Sequence, residues 1–142
     1  MTKAKVLCDN PDLMPVYASE GAAGMDLKAA ERCFLFPGDY MPVSTGVSVE
    51  LPTGWEAQVR PRSGLAAKEG ITVLNAPGTI DSDYRGEIKV ILINHSRKTK
   101  LIEIGDRIAQ LVFAKHEKVE LEPTLELTET KRGRRGLGST GT

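Results

Sequence analysis

The sequence has little that would direct a protein to a membrane or to a nucleic acid. It contains no apolar run near the roughly 20 residues of a membrane-spanning helix, and residues 1–10 lack the apolar core of a signal peptide. Lysine and arginine together number 19, as do aspartate and glutamate, so the net charge is zero and no overall field attracts a polyanion. We expect a soluble, intracellular protein that binds neither nucleic acid nor membrane and recognises anions only locally.

Cysteine is almost absent as well. Cys8 and Cys33 are the two cysteines of this 142-residue chain, and they have no CxxC spacing. This argues against a zinc knuckle or a disulfide scaffold, and we expect both thiols to be reduced and structural. A chain of this length fits one compact domain, which buries roughly two-thirds of the surface that its unfolded chain exposes.

The sequence is rich in the patterns of β-strands. Segments 47–51 and 55–60 alternate apolar and polar residues, as half-buried strands do. Segments 88–94 and 109–114 are almost continuously apolar and β-branched, which is typical of strands inside a core. Proline and glycine separate these segments at short intervals. The sequence therefore predicts an all-β sandwich or jelly roll.

One segment, SGLAAKEG at residues 63–70, predicts a short helix. Ser63 is a candidate N-cap and Gly70 a candidate end. The start of this helix, beside Arg62, would offer unpaired N–H groups to a phosphate. From this segment alone, a plain capped turn is the alternative interpretation.

Five stretches combine polar residues with glycines between the apolar runs. In this order and at these spacings they resemble the five motifs of the trimeric dUTP pyrophosphatases (dUTPases), which hydrolyse dUTP to dUMP and pyrophosphate. The resemblance extends from Ala22 to Gly141. The stretches are AAGMDLKAA (22–30), PRSGLAAK (61–68), GTIDSDYRGE (78–87), GDRIAQLV (105–112) and RGRRGLGSTG (132–141).

The resemblance implies an architecture. The subunit would be an all-β distorted jelly roll with one short helix, comprising residues 1–130, and a flexible C-terminal arm, residues 131–142, would close over an active site of the trimer. The family forms a homotrimer in which all three chains build each active site, and it uses Mg²⁺. We therefore expect dUTP as the small-molecule substrate and Mg²⁺ as the cofactor.

The resemblance also assigns the nucleoside and the reacting water. Asp81 would orient and deprotonate the water that attacks the α-phosphorus, and Tyr84 would lie against the deoxyribose and leave no room for a 2′-hydroxyl. A plain turn carboxylate and a core aromatic are the alternative interpretations. Uracil would insert into a hairpin formed by VLNAPGTI. The residues expected to bind it are Asn75, the backbone of Gly78 and Thr79, and the backbone of Lys89.

The triphosphate would be held by the second and fourth motifs. Arg62, Ser63 and Gly64 supply a guanidinium fork, a hydroxyl donor and a closely approaching backbone. Gln110 would contact a phosphate or the catalytic water. Asp26 would lie near Mg²⁺ and act through water, because this ion keeps several waters and binds mainly to substrate phosphates. For the neighbouring Asp106 and Arg107, structural roles are an equal alternative.

The arm departs from the family pattern at two positions. Leu137 replaces a phenylalanine whose ring covers the uracil, and Arg135 replaces a glycine. We expect a weakened lid, in which the phosphates are met by Arg132, Gly138, Ser139 and Thr140. The composition further predicts an arm that is disordered without nucleotide and ordered with it.

Two other functions remain open at this point. A deoxycytidine triphosphate deaminase shares the jelly-roll trimer, but its chemistry needs an acid or base at C4 of the ring, for which the sequence has no matching motif. A non-catalytic nucleotide sensor or a structural jelly roll is the other alternative. The presence of Asp81, Tyr84 and the Arg62-Ser63-Gly64 stretch argues against it.

Overall fold

The fold consists of strands joined by short turns. The computed structural model describes residues 1–137, and over this range the chain forms twelve strands, one 3-10 turn and one α-helix. The 3-10 turn is Pro11–Leu13 and the helix, α1, is Ser63–Glu69. The strands are β1 (Lys5–Cys8), β2 (Val16–Tyr17), β3 (Gly24–Lys28), β4 (Cys33–Leu35), β5 (Tyr40–Ser44), β6 (Val47–Glu50), β7 (Trp55–Arg60), β8 (Ile71–Val73), β9 (Gly78–Ile80), β10 (Lys89–Asn94), β11 (Lys100–Ile102) and β12 (Arg107–Lys115).

These strands pair antiparallel into a five-stranded sheet and three smaller ones within residues 1–137. The large sheet has the order β2-β3-β12-β7-β9, and the others are β5-β10-β8, β1-β6 and β11-β4. Strands far apart in sequence are therefore neighbours, as β3 and β12 are. Such crossing connections between packed antiparallel sheets are typical of a jelly roll. The predicted all-β jelly-roll fold is confirmed.

The five-stranded sheet has one apolar face and one polar face. Residues directly opposite each other in neighbouring strands point to the same side. Met25, Leu111 and Val59 form one such row, which faces the core, where Leu111 and Val59 are buried. The adjacent row, Asp26, Gln110 and Arg60, faces the other side. The sheet thus displays three polar side chains from β3, β12 and β7 side by side.

The hydrophobic core holds this sheet rigidly. Fully burying one aliphatic side chain contributes about 1.5–3 kcal/mol, and strands predicted from the sequence supply many of them. Core residues with at most 1% exposure include Leu27, Leu35, Val43, Val47, Ile71, Ile88, Val90, Leu92, Ile102, Ile108 and Leu111. Both cysteines are free thiols, as predicted, and burial together with Glu31 raises the pKa of Cys33.

The helix ends as predicted but begins differently. Gly70 takes a left-handed conformation, with φ of 64°, and its N–H bonds the carbonyl of Ala66 at 3.1 Å. The prediction of Ser63 as N-cap is wrong. Arg62 occupies the cap position with an extended backbone, and its side chain makes no cap hydrogen bond. Ser63 is the first helical residue and is exposed, so its hydroxyl stays available.

The predicted hairpin at VLNAPGTI is also wrong. β8 pairs with β10 in the three-stranded sheet, whereas β9 pairs with β7 in the five-stranded sheet. Residues 74–77 therefore form a turn that passes from one sheet to the other. Both strands are short, and their apolar pattern is too weak to predict which strand each one pairs with. No helix within residues 1–137 is long and apolar enough to cross a membrane.

Candidate functional site

Two arginines converge on a buried aspartate at the polar face of the large sheet. Arg62 Nε lies 3.2 Å from Asp26 Oδ1, and Arg107 Nη1 lies 3.3 Å from Asp26 Oδ2. Arg62 Nη1 also donates a hydrogen bond to the carbonyl of Arg107 at 3.1 Å. We call these three residues the arginine cluster. It links the first, second and fourth sequence motifs.

The register of the strands explains why the arginine cluster forms. Asp26 lies on β3 and is only 7% exposed, while Arg107 begins β12, the neighbouring strand. Arg62 follows β7, on the other side of β12. A buried carboxylate is costly unless opposite charges and hydrogen bonds replace its water, and here two guanidinium groups supply the charge and Arg107 donates a hydrogen bond. Asp26 therefore fixes the position of both arginines.

Gln110 lies beside Asp26 on the same face. It is opposite Asp26 on one side and Arg60 on the other. Gly24 makes room for it, because a Cβ at Gly24 would stand 3.3 Å from Gln110 Cβ and 3.2 Å from a Val112 methyl. Its amide oxygen lies over Gly24, on the same face of the sheet as Asp26.

The start of α1 completes this group. Ser63 and Gly64 are exposed, and the N–H groups of the first turn have no intrahelical acceptor. Beside them, the Arg62 side chain is held by Asp26 but remains 23% exposed. A hydroxyl, free backbone N–H groups and an oriented guanidinium are the donors that phosphate oxygens require. This end of the molecule suits an anion.

A separate pocket lies between β9 and β10. This β9–β10 pocket has a volume of about 410 Å³, within the range of small-molecule sites. Four predicted site residues line it, namely Thr79, Asp81, Tyr84 and Lys89. The structure therefore brings Asp81, assigned to the attacking water, together with three of the five residues assigned to the nucleoside.

Asp81 and Tyr84 differ in how they are held. The Asp81 residue is exposed, and no described residue donates a hydrogen bond to its carboxylate. Tyr84 is 44% exposed, yet its hydroxyl donates to the carbonyl of Glu87 at 3.0 Å. A carboxylate without a partner can accept a proton from water, and an anchored ring can act as a wall.

Asn75 lies beside Gly78, at the turn that leads into β9. A Cβ at Gly78 would stand 3.4 Å from Asn75 Nδ2 and 3.3 Å from Val59 Cβ. Gly78 is buried while Asn75 is exposed. The amide of Asn75 and the backbone of Gly78 are thus adjacent, as the resemblance implied.

The β9–β10 pocket and the arginine cluster lie at opposite ends of β7. Ile80, which precedes Asp81, is opposite Ala57 near the start of β7. Arg62 follows Arg60 at its end, and its side chain reaches Asp26, away from β9. Residues 57 and 60 of a strand are already about 10 Å apart. One chain alone does not bring Asp81 to Arg62.

A larger apolar pocket of about 590 Å³ contains no predicted site residue. It lies between the N-terminal segment and residues such as Tyr17, Trp55 and Phe113. The described residues that line it include no acidic side chain. Among these described residues there is therefore no carboxylate that could act as a general base.

The described residues do not form a metal cage. Within residues 1–137, no group of three or more His, Cys, Asp or Glu side chains could hold a metal ion. The Asp26 carboxylate is paired with two guanidinium groups. These side chains therefore do not fit an ion that the protein alone would ligate, and only an ion bound through water and phosphate oxygens is compatible with them.

The arm is described as far as Leu137, which is fully exposed. Arg132 and Arg135 donate from their Nε atoms to each other's carbonyl, at 3.0 and 3.1 Å. Gly138, Ser139 and Thr140 lie outside the described residues. Their assignment to the phosphates, and the closing of the arm, stay predictions.

Sequence reasoning missed three residues at these two places and left the role of a fourth, Arg107, open. Arg107 completes the arginine cluster, and Gly24 gives Gln110 its room. Gly86 and Glu87 support Tyr84. For Arg107 and Gly24 the motif position was the only signal, because their contacts depend on the β3–β12 register.

Known proteins resemble this chain over most of its length. The sequence profile of the dUTPase family matches residues 11–141. The chain is 58% identical over 130 residues to the deoxyuridine 5'-triphosphate nucleotidohydrolase of Rickettsia typhi, covering 90% of this chain and 88% of the relative. It is 56% identical over 129 residues to that of a Hydrogenobaculum species, covering 90% of both.

The chain belongs to the dUTPase family. A solved structure of the Staphylococcus bacteriophage 80alpha dUTPase with dUPNHPP is similar over the full length of both chains, with a TM-score of 0.87 at 25% identity. A mutant dUTPase from phage phi11 of S. aureus, described for its coordination of a structural Mg(II) ion, shares the fold at 24% identity, with a TM-score of 0.79 over 87% of this chain and 97% of that one. The family resemblance seen in the sequence is confirmed, and the deaminase is not favoured.

Proposed function

We propose that the protein hydrolyses dUTP to dUMP and pyrophosphate. The observation that carries the proposal is a two-part site in a dUTPase-family chain. An unpaired carboxylate, Asp81, lies in a nucleoside-sized pocket, and a separate arginine cluster is built for phosphates. Hydrolysis would keep uracil out of DNA and supply dUMP for thymidylate synthesis. We place it inside the cell, in line with the expectation from the sequence.

Asp81 acts as the general base. Its carboxylate accepts a proton from a water molecule while the water oxygen forms a bond to the α-phosphorus. The bond from the α-phosphorus to its bridging oxygen breaks, and pyrophosphate leaves with that electron pair. The products are dUMP, pyrophosphate and the proton on Asp81, which then passes to solvent.

The β9–β10 pocket and its neighbouring turn would select the nucleoside. The Asn75 amide and the backbone of Gly78, Thr79 and Lys89 pair with uracil, and Tyr84 stands against the deoxyribose. Cytosine reverses the donor and acceptor of the uracil edge, so it would leave buried hydrogen-bonding groups unpaired. Such a mismatch is penalised far more strongly than a missing methylene.

The arginine cluster and the start of α1 would bind the triphosphate. Arg62, Ser63 and Gly64 supply donors, and Gln110 contacts a phosphate or the catalytic water. Asp26 orients Arg62 and lies near a Mg²⁺ ion that it meets through water. The ion, when bound, would offset phosphate charge. It would reach the site with the nucleotide, because the described side chains offer it no cage.

The active site would be shared between the subunits of a homotrimer. The support is the separation of Asp81 from Arg62 along β7, since a single dUTP must touch both groups. The arm, residues 131–142, would close over the site. Arg132, Gly138, Ser139 and Thr140 would then face the phosphates, with Leu137 over the uracil.

A pyrophosphate-release assay tests the activity. The protein is given dUTP, dCTP, dTTP or UTP, with and without Mg²⁺, and ammonia is measured in parallel. We expect turnover of dUTP alone. Ammonia from dCTP would instead identify a deaminase, and no turnover of any nucleotide would identify a binding protein.

Mixed oligomers test the shared site. Asp81→Asn and Arg62→Ala subunits are each expected to be inactive, and they are unfolded and refolded together in equal amounts. If one site takes Asp81 and Arg62 from different chains, about a quarter of the sites regain both groups in random oligomers. A site within one chain would stay inactive in the mixture. Each variant refolded alone is the control.

A further inference from the structure

The Tyr84 ring lies directly over Gly86. A Cβ at Gly86 would stand 2.4 Å from Tyr84 Oη and 2.6 Å from Cζ, so no side chain fits there with the ring in place. The hydroxyl reaches past Gly86 to the carbonyl of Glu87 at 3.0 Å. The position of the ring therefore depends on the backbone of residues 86 and 87.

The Glu87 side chain ties that backbone to the turn between β5 and β6. Its Oε1 accepts a hydrogen bond from the Gly46 N–H at 2.8 Å, and its Oε2 accepts one from Ser44 Oγ at 3.4 Å. Gly46 has a φ of 68°, a left-handed conformation that favours glycine. The turn thus presents its N–H to the carboxylate in a defined direction.

The next residue is attached to the same turn. The Ile88 N–H donates to the carbonyl of Val47 at 2.8 Å, and the Thr45 hydroxyl donates to the carbonyl of Ile88 at 2.6 Å. Thr45 and Ile88 are buried. Four hydrogen bonds therefore connect residues 87–88 to residues 44–47.

We propose that Glu87, together with Gly86, is a positioning residue that fixes the Tyr84 ring and thereby sets the preference for a deoxyribonucleotide over a ribonucleotide. The inference rests on the proposed function. Excluding one hydroxyl needs a wall that does not yield, and a ring that is 44% exposed has few packing contacts to hold it. The hydrogen bond from the Tyr84 hydroxyl and the bonds that the Glu87 carboxylate accepts hold the ring in place instead.

The central test compares Glu87→Ala with Glu87→Gln. Gln keeps the oxygen that accepts from Gly46, whereas Ala removes it. For Glu87→Ala, we expect the ratio of kcat/KM for dUTP to that for UTP to fall about tenfold, mostly through UTP becoming a better substrate. The kcat for dUTP should stay within about threefold of the parent, because Asp81 is untouched. Glu87→Gln should keep the parent ratio.

A double-mutant cycle separates positioning from general damage. Tyr84→Phe keeps the ring but removes the hydroxyl anchor, so its ratio should fall by a similar factor. If Glu87 acts through Tyr84, the pair of substitutions should lower the ratio no further than either one alone. Independent losses that multiply would overturn the proposal, as would equal losses for dUTP and UTP accompanied by a lower Tm.

Fluorine NMR supplies a readout that needs no turnover. The protein is labelled with 3-fluorotyrosine, and the Tyr84 signal is assigned as the one lost in Tyr84→Phe. We expect Glu87→Ala to shift or broaden it and Glu87→Gln to leave it in place. An unmoved signal in Glu87→Ala overturns the positioning role. Failure of the parent to hydrolyse dUTP, with the signal moving as expected, overturns the proposed function and the preference but not the Glu87–Tyr84 link.

Discussion

The arginine cluster and the β9–β10 pocket each contain one aspartate of the dUTPase motifs, and the two are held in opposite ways. Asp26 is buried and paired with two guanidinium groups. Asp81 is exposed, and no described residue donates to its carboxylate. The oxygens of Asp26 already face two guanidinium groups, whereas those of Asp81 are open to a water molecule. The same residue type thus organises one region and, in the proposed mechanism, reacts in the other.

The contrast also separates stability from activity. Removing a buried charge leaves its partners unpaired and weakens the fold, whereas removing an exposed and unpartnered charge leaves the fold unchanged. Substitution of Asp26 should therefore act mainly on stability, and substitution of Asp81 mainly on catalysis.

The largest expected effect is that of Asp81→Asn. Loss of the proposed general base should lower kcat for dUTP by about 10²–10⁴-fold, while Tm stays at the parent value because no described residue bonds the carboxylate. Steady-state kinetics and thermal unfolding measure the two quantities. Asp83→Asn, at an exposed position of the same loop, is the matched control and should keep its activity. A drop in Tm for Asp81→Asn would show that Asp81, like Asp26, has a structural role.

Asp26→Asn should mainly lower stability. Breaking a buried ion pair costs about 3–5 kcal/mol, and we expect the lower end because the Arg107 side chain is 54% exposed and partly screened. This corresponds to a fall in Tm of about 10 °C for a domain of this size. Asp39→Asn, at an exposed turn, should change little. KM for dUTP should also rise as Arg62 loses its orientation, and an unchanged Tm would contradict the structural role of Asp26.

The arm is a third region, in which neither burial nor a pocket holds the side chain. Leu137→Phe should restore a ring over the uracil, and stacking of this kind contributes on the order of 1–3 kcal/mol per base. We expect KM for dUTP to fall about fivefold, near the lower end of that range. Leu137→Met, which is apolar but has no ring, is the control. Equal kinetics for Phe and Leu at this position would show that the ring is not needed.

The strands could be predicted because the order of apolar and polar residues along one segment is local information. Segments 47–51, 55–60, 88–94 and 109–114 were all confirmed within a few residues at either end. The hairpin predicted at VLNAPGTI was wrong because it depended on information that is not local. Which strand β8 and β9 pair with depends on packing between sheets, and the turn residues alone do not record it.

In the site, too, the residues could be predicted from the sequence but their contacts could not. The family resemblance was enough to select Asp81, Tyr84 and Asn75, which the structure places in or beside the β9–β10 pocket and its turn. The pairing of Asp26 with Arg107 spans 81 positions and exists only in the β3–β12 register, so nothing in either motif alone predicts it. The helix start also differs from the prediction: Arg62, whose side chain faces Asp26, takes the cap position, and Ser63 follows it inside α1.

The smallest expected effect, Ser63→Ala, tests that last point. An N-cap serine contributes about 0.5–2 kcal/mol to stability, but Ser63 is the first residue inside α1 and exposed, so the loss should stay below about 0.5 kcal/mol. Thr45→Ala is the matched control, because it removes a buried hydroxyl that bonds the Ile88 carbonyl, and it should cost about 1–3 kcal/mol. Denaturant unfolding measures both. If Ser63→Ala were as costly as Thr45→Ala, the hydroxyl would be structural. If its stability is unchanged while KM for dUTP rises several-fold, the hydroxyl donates to a phosphate. The start of α1 would then serve substrate binding, as the β9–β10 pocket does, although the neighbouring Arg62 belongs to the arginine cluster.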